Sequence, residues 1–337
     1  MSDDTAFLSH ARYGKDKVRV LRVVREGKWH HIVEYNVQAL LEGDIETSYT
    51  EADNSVVVAT DSIKNITYYI AKISPHVLIP ERFALHLGTH FVSKYPHIHK
   101  AFVTVEQLRW SRIPVPGEQG PTEHPHSFIR DGDEKRIVKV EVHRLAILGA
   151  TITYLRQVDA SKGKDKLVAN VTAGLSDLLV LKTTESAFSG FVRDKYTTLK
   201  EVDDRILSTS IDLSYTFAPV DIPKPTDADV EQFTVPADIA PGSVWDPAVP
   251  TRARAVTLDT FVSDNSASVQ ATLYRMACLI LAQNAGVQSV SYSLPNKHYL
   301  PVDMGYIGVE NLVPAQAEVF MPVAAPSGLI TATVSRK

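Results

Sequence analysis

Two stretches of this chain alternate strictly between apolar and polar side chains, and no other feature constrains its fold as much. Val138, Val140 and Val142 interleave with Lys139, Glu141 and His143; Ile211, Leu213, Tyr215 and Phe217 interleave with Ser210, Asp212, Ser214 and Thr216. A period of two puts one set on a covered face and the other toward water, which is the signature of an antiparallel sheet covered on one side. Strand character also marks residues 17–25 and 29–42, joined at Glu26-Gly27-Lys28, and residues 98–114 ahead of 134–143. Between these pairs lie two helical patterns. One starts at Asp61, with Ile63, Ile66, Ile70 and Ile73 at helical spacing; the other follows Pro80, with Phe83, Leu87, His90 and Phe91 on one face. The order is two strands, two helices, two strands.

The second half repeats it. Strands are expected at 146–157, 166–182 and 205–217, helices at 252–263 and 266–283, and strands at 287–294, 298–303, 315–321 and 328–334. Residues 218–250 hold seven of the 19 prolines and read as a long surface loop. Asp53-Asn54-Ser55 with Ala59-Thr60 is echoed by Asp264-Asn265-Ser266 with Ala271-Thr272. Repeated order and echo together predict an α+β protein of two similar domains, 1–150 and 151–337. Each is an antiparallel sheet with two helices on one face.

A length of 337 residues suits two cores rather than one. A net charge of −4 supplies no basic footprint for nucleic acid, and no apolar run approaches the roughly 20 residues that span a bilayer. Met1-Ser2-Asp3-Asp4 is acidic without an apolar segment behind it, so no secretory signal is expected. Cys278 is the single cysteine, which leaves no intrachain disulfide; its apolar helical surroundings suggest a small buried hydrophobe.

Chemistry concentrates around residues 53–65. Val56-Val57-Val58 reads as an extended run, and Asp61 as the N-cap of the helix that follows. Thr60 therefore stands at the handover from strand to helix. Its hydroxyl lies beside unpaired N–H groups and the positive end of a helix dipole, where an anion is stabilised. A simple cap would explain the same residues. His30-His31, His97-Ile98-His99 and His124-Pro125-His126 invite a metal reading, but no third ligand follows at a recognisable spacing, and none is expected. Neither a Walker loop, a GxGxxG turn nor a GxSxG elbow is present. Phe188 and Arg205 could offer a flat heterocyclic anion an aromatic face and a planar donor fork, although core phenylalanine and surface arginine is the plainer account.

Several stretches resemble urate oxidases. Glu46-Thr47-Ser48-Tyr49-Thr50 and Val58-Ala59-Thr60-Asp61-Ser62-Ile63-Lys64-Asn65 are similar to that family, as is Leu181-Lys182-Thr183-Thr184 with Phe188, Phe191, Tyr196, Leu199 and Arg205. The likeness continues through Tyr13-Gly14-Lys15, His124 to Arg130, Asp264 to Thr272, Leu294-Pro295-Asn296-Lys297-His298-Tyr299 and Gly328-Leu329-Ile330. It runs from about residue 12 to 334 and looks fungal rather than bacterial.

The resemblance implies two tandem T-fold domains per chain, assembled as a homotetramer with active sites at subunit interfaces. It implies oxidation of urate by dioxygen and water to 5-hydroxyisourate and hydrogen peroxide, without a metal or organic cofactor. Lys15 and Thr60 would form a proton relay, with His298 bonded to the lysine and tuning it. Arg205 and Gln270 would hold the purine's polar edges and Phe188 would stack on its face. The Val269 backbone and the Asp61 N–H would add contacts, Asn296 would fix oxygen or water above the ring, and Ile330 would line the pocket. A non-catalytic purine- or pterin-binding T-fold protein is the alternative; it would not need Lys15, Thr60 and His298 together. The 218–250 and 153–170 segments are longer than the family leads one to expect. Ser335-Arg336-Lys337 lacks the terminal leucine of the usual peroxisomal address, so a peroxisomal location rests on the fungal likeness.

Overall fold

The structure is a computed structural model that describes residues 6–118, 120–144, 167–222, 246–313 and 316–337. In chain order the elements are β1 (Tyr13–Glu26), β2 (Trp29–Gly43), α1 (Glu46–Thr50), α2 (Thr60–Ile73), α3 (Pro80–Lys94), β3 (Ile98–Val115) and β4 (Thr122–Arg144). Then come β5 (Leu167–Lys182), β6 (Leu207–Phe217), β7 (Val220–Ile222), α4 (Val249–Ser263), α5 (Val269–Gln283), β8 (Val287–Pro301) and β9 (Phe320–Ser335). The chain divides into two compact units, residues 1–173 with 217–240, and residues 174–216 with 241–337. The boundary expected near 150 and the strand expected at 146–157 lie outside the described residues.

In the first unit β1, β2, β3 and β4 pair antiparallel in that order. Alternation does what the sequence implies: Val33, Tyr35, Val37, Ala39 and Leu41 of β2 are buried, as are Val138, Val140 and Val142 of β4. Val37 faces Val105 and Val103 faces Val140, so branched side chains meet across the strands on the covered face. α2 packs against β1, and α3 against β3 and β4. Ile63, Thr67, Ile70 and Ala71 form the buried stripe of α2. α3 is buried along almost its whole circumference. Gly88 allows that approach, because a Cβ there would stand 2.8 Å from a Val142 methyl. Glu81, buried on α3, is paired with Arg136 at 2.5 Å, and the Tyr35 hydroxyl donates to the Val77 carbonyl at 2.6 Å.

The second unit takes the later part of β5 beside β6, then β8, then β9. Ile211, Leu213 and Tyr215 of β6 are buried as expected, as is Phe217 at the strand's end in the first unit. α4 and α5 pack together, with α5 on β8 and β9, and the Thr257 and Tyr292 hydroxyls share a hydrogen bond of 2.6 Å that ties α4 to β8. Arg336 donates to the carbonyls of Leu281, Asn284 and Val287, closing the C-terminal end of α5.

Several local expectations are corrected. Val56 to Val58 are not a strand: Asn54–Val56 form a 3₁₀ turn closed by the Asp53 carboxylate, which accepts the Ser55 N–H at 2.9 Å. Asp61 is not the N-cap of α2. Ala59 occupies that position, and the Asp61 carboxylate accepts from Lys64 at 2.5 Å and Asn65 at 2.9 Å. The strands expected at 287–294 and 298–303 form one strand, β8, and the helix expected from 266 begins at Val269. The echo does not mark equivalent places, since Asp53 precedes the first helix of its unit's helix pair whereas Asp264 ends α4, between two helices. Cys278 is a free, partly exposed thiol rather than a buried one, hydrogen-bonded to the Tyr274 hydroxyl one turn away.

Candidate active site

The candidate residues fall into two groups, one in each unit. In the first unit Lys15 sits at the start of β1, where the chain is held closely. A Cβ on Gly14 would lie 1.9 Å from the Ala39 carbonyl oxygen, so only glycine lets β1 approach β2 there. The β1–β2 register then shifts between Lys15 and Val18, with Lys17 at φ 55°. The Asp16 carboxylate steadies this bulge by accepting the Lys17 N–H at 2.9 Å and the Gln38 amide at 3.1 Å.

Thr60 is the first residue of α2, Asp61 is the second, and both are exposed. No side chain among the described residues caps this helix, so its first N–H groups stand uncapped beside the exposed Thr60 at the positive end of the dipole. Lys15 is close enough to Asp61 to favour its carboxylate, although Lys64 is the larger influence holding that carboxyl below its usual range. A cation, a hydroxyl and uncapped amides thus share one neighbourhood.

In the second unit Phe188 and Arg205 are brought together. Backbone hydrogen bonds pair Phe188 with Val202 in both directions, at 2.8 and 3.1 Å, three residues before Arg205. The Arg205 guanidinium lies 5.0 Å from the centre of the Phe188 ring, which stacks on Phe191 at 4.9 Å with 14° between planes. Arg205 is half-buried, and that burial pulls its pKa down; its Nε is buried with no acceptor among the described residues. A buried guanidinium donor without a partner marks a place for an anionic or carbonyl acceptor.

Asp204 braces the pair. Its carboxylate accepts from the Thr184 hydroxyl at 2.6 Å and the Ser186 N–H at 3.4 Å, with further bonds from the N–H groups of Glu185 and Arg205. Ser186 to Phe188 is then linked to the loop before α5: the Ala187 N–H donates to the Ser266 carbonyl and the Ser266 N–H to the Glu185 carbonyl. Val269 and Gln270 open α5, Val269 buried and Gln270 exposed, under a cap in which the Ser268 hydroxyl accepts the Ala271 N–H. Asn296 and His298 lie on β8, on either side of a register shift against β9. Asn296 faces Gly328, and Ile330 faces Leu294. Reading the sequence did not single out Phe191 or Asp204 as site residues. The aspartate next to Arg205 was the available signal.

Among the described residues no three His, Cys, Asp or Glu side chains converge as metal ligands, and no helix is long and apolar enough to cross a membrane. His99 pairs with Asp44 at 2.9 Å, and His124 packs edge-on against His126.

A sequence model described as uricase matches residues 11–141 and 171–331. The chain belongs to the uricase family. It is 46% identical over 329 residues to the uricase of Aspergillus flavus, covering 97% of this chain and 96% of that one. It is 38% identical to the uricase of Schizosaccharomyces pombe, covering 99% of both. Among solved structures, the Arthrobacter globiformis uricase superposes with a TM-score of 0.76 at 31% identity, over 99% of this chain and 96% of that one. The fold is accordingly the α+β T-fold architecture of the uricases.

Proposed function

We propose that the chain oxidises urate with dioxygen and water, giving 5-hydroxyisourate and hydrogen peroxide, and that its own side chains suffice. The observation that carries this reading is the Phe188–Arg205 pair, an aromatic ring beside a half-buried donor fork whose Nε lacks an acceptor among the described residues. Urate is flat, anionic and edged with carbonyl and amide groups, which is what a ring and a planar fork recognise. Gln270 would hold a second polar edge, the Val269 backbone and Ile330 would border the ring, and the Asp61 N–H would meet the ligand at the uncapped end of α2.

Lys15 and Thr60 would take a proton from bound urate and later return one. The electron-rich dianion then reduces dioxygen, and addition of water at the oxidised ring completes a balance of one dioxygen consumed per peroxide formed. His298 would complete the relay, and Asn296 would hold oxygen or water. We further propose a homotetramer in which Thr60 and Lys15 come from one subunit and Arg205 and Gln270 from its neighbour.

Oxygen uptake with urate, before and after exhaustive chelation, tests the reading. The expected result is an unchanged rate with one peroxide formed per urate. Loss of activity on chelation, restored by a single metal ion, would overturn the cofactor-free reading. Tight urate binding without oxygen uptake would leave a binding protein instead.

A further inference from the structure

We infer that Tyr13 is a positioning residue that sets the Thr60 hydroxyl against Lys15 by holding the chain just ahead of α2. The inference deepens the proposed urate oxidation and rests on it. The Tyr13 hydroxyl accepts the Val58 N–H at 2.7 Å, two residues before Thr60. Val58 is itself 6% exposed, so its amide has little water to fall back on and depends on this acceptor.

The two ends of the link are unlike. Tyr13 lies on β1 two residues before Lys15, in a stretch fixed by several contacts: Arg12 bonds Glu42 at 3.3 Å and lies over the Phe102 ring, and Gly14 lies against the β2 backbone. The Val57-Val58-Ala59 segment, by contrast, only bridges two elements: the Val57 N–H donates to the Asn54 carbonyl at 3.0 Å and the Ala59 carbonyl accepts the Ile63 N–H at 3.1 Å, which leaves the Val58 N–H between them to Tyr13. Burial raises the Tyr13 pKa above its ordinary value, so the hydroxyl stays neutral and its oxygen remains a constant acceptor through the neutral range. One phenol therefore links the strand that carries Lys15 to the segment that leads into Thr60 at the start of α2.

A residue acting through Thr60 must lose its effect when Thr60 has no hydroxyl. Tyr13→Phe is expected to lower kcat about tenfold, with KM for urate and the affinity for a non-reactive purine analogue within about twofold of the parent. In a Thr60→Ala background the same change is expected to cost less than about twofold. An equal loss in both backgrounds would mean a general structural role and overturn the inference, as would an unchanged kcat in the single variant. If Tyr13→Phe does not fold, replacing residue 58 with its α-hydroxy analogue removes the N–H donor and weakens only the Val57 carbonyl besides, and the same pair of outcomes applies. Failure of the parent reading looks different: the unsubstituted protein would consume no oxygen with urate, or Thr60→Ala alone would be fully active.

Discussion

The N-termini of α2 and α5 each carry candidate ligand contacts, and they are built in opposite ways. α5 is closed: the Ser268 hydroxyl caps it, and the Asp264 carboxylate ahead of it accepts from Thr272 at 2.5 Å and Arg275 at 3.1 Å. Backbone bonds through Ser266 join it to the loop segment leading to Phe188. α2 is open: alanine stands at the cap position, no side chain among the described residues caps it, and the Val58 amide ahead of it is held by one phenol. The closed end suits recognition, because fixed donors lose little entropy on binding. The open end suits proton transfer, because uncapped amides and a free hydroxyl keep their donors for the ligand. If either helix end did the other's work, this division of labour would fail.

The largest effect is expected at the open end. Lys15→Met and Thr60→Ala should each lower kcat by roughly 10²–10⁴-fold if they perform acid–base work. Affinity for a non-reactive purine analogue, read by calorimetry, should change little. A collapse of affinity with kcat intact would transfer binding to α2 and end the contrast.

Arg205→Ala comes next. It removes a charge-assisted contact worth about 1.5–3 kcal/mol, so analogue affinity should fall by roughly 10- to 150-fold. Arg205→Lys should recover little of this, since a point charge does not reproduce a planar fork at a site where the guanidinium also lies 5.0 Å from the Phe188 ring centre. Full recovery by lysine would show that charge alone matters there.

A smaller effect is expected at Asp204. The Thr184 hydroxyl first, then the N–H groups of Ser186, Glu185 and Arg205, hold its carboxyl below the usual range against a modest opposing effect of burial. A depressed folded value means the brace is complete above the unfolded carboxylate pKa of about 3.9 and is lost only as pH falls through the lower folded value. Analogue affinity should therefore show no step from this group between about pH 5 and pH 8. Asp204→Asn should raise KM for urate about threefold and leave kcat alone, a modest change because the carboxylate is largely exposed. A fall in kcat without a change in KM would place Asp204 outside the binding half.

What could be read from the sequence follows a physical line. Alternation in β4 and β6 and the Ile63–Ile70 stripe were legible because burial on one face writes a period into the chain. Val56 to Val58 misled because three valines favour a strand only where a neighbouring strand can pair with them; here the Asp53 carboxylate closes a turn on Ser55 instead. Asp61 has the right chemistry for a cap, but its carboxylate is drawn one turn onward to Lys64 and Asn65. α1 is five residues long, too short to leave a period, and Tyr49 ties it to the Arg12 carbonyl only at 3.5 Å. The stacking of Phe191 on Phe188 and the bracing by Asp204 depend on loop geometry between 184 and 205, which no local pattern encodes.

The smallest expected effect is also the sharpest test of the contrast. Ala59 has φ −52° and ψ 135°, an extended backbone that a serine cap can adopt. Ala59→Ser should therefore place a hydroxyl oxygen on the N–H of Asp61 or Ser62 and stabilise the fold by about 0.5–1 kcal/mol. In a chain of this size that raises Tm by roughly 1–3 °C. The same hydroxyl competes with the ligand for the Asp61 amide, so analogue affinity should fall about threefold while the protein becomes more stable. Ser268→Ala at the other helix should move in the opposite sense on stability, losing about 1 kcal/mol of capping. If Ala59→Ser raises Tm and leaves affinity untouched, the open end of α2 is not a ligand contact. An absent cap there would then be a defect that the fold tolerates rather than a donor set kept free for the ligand.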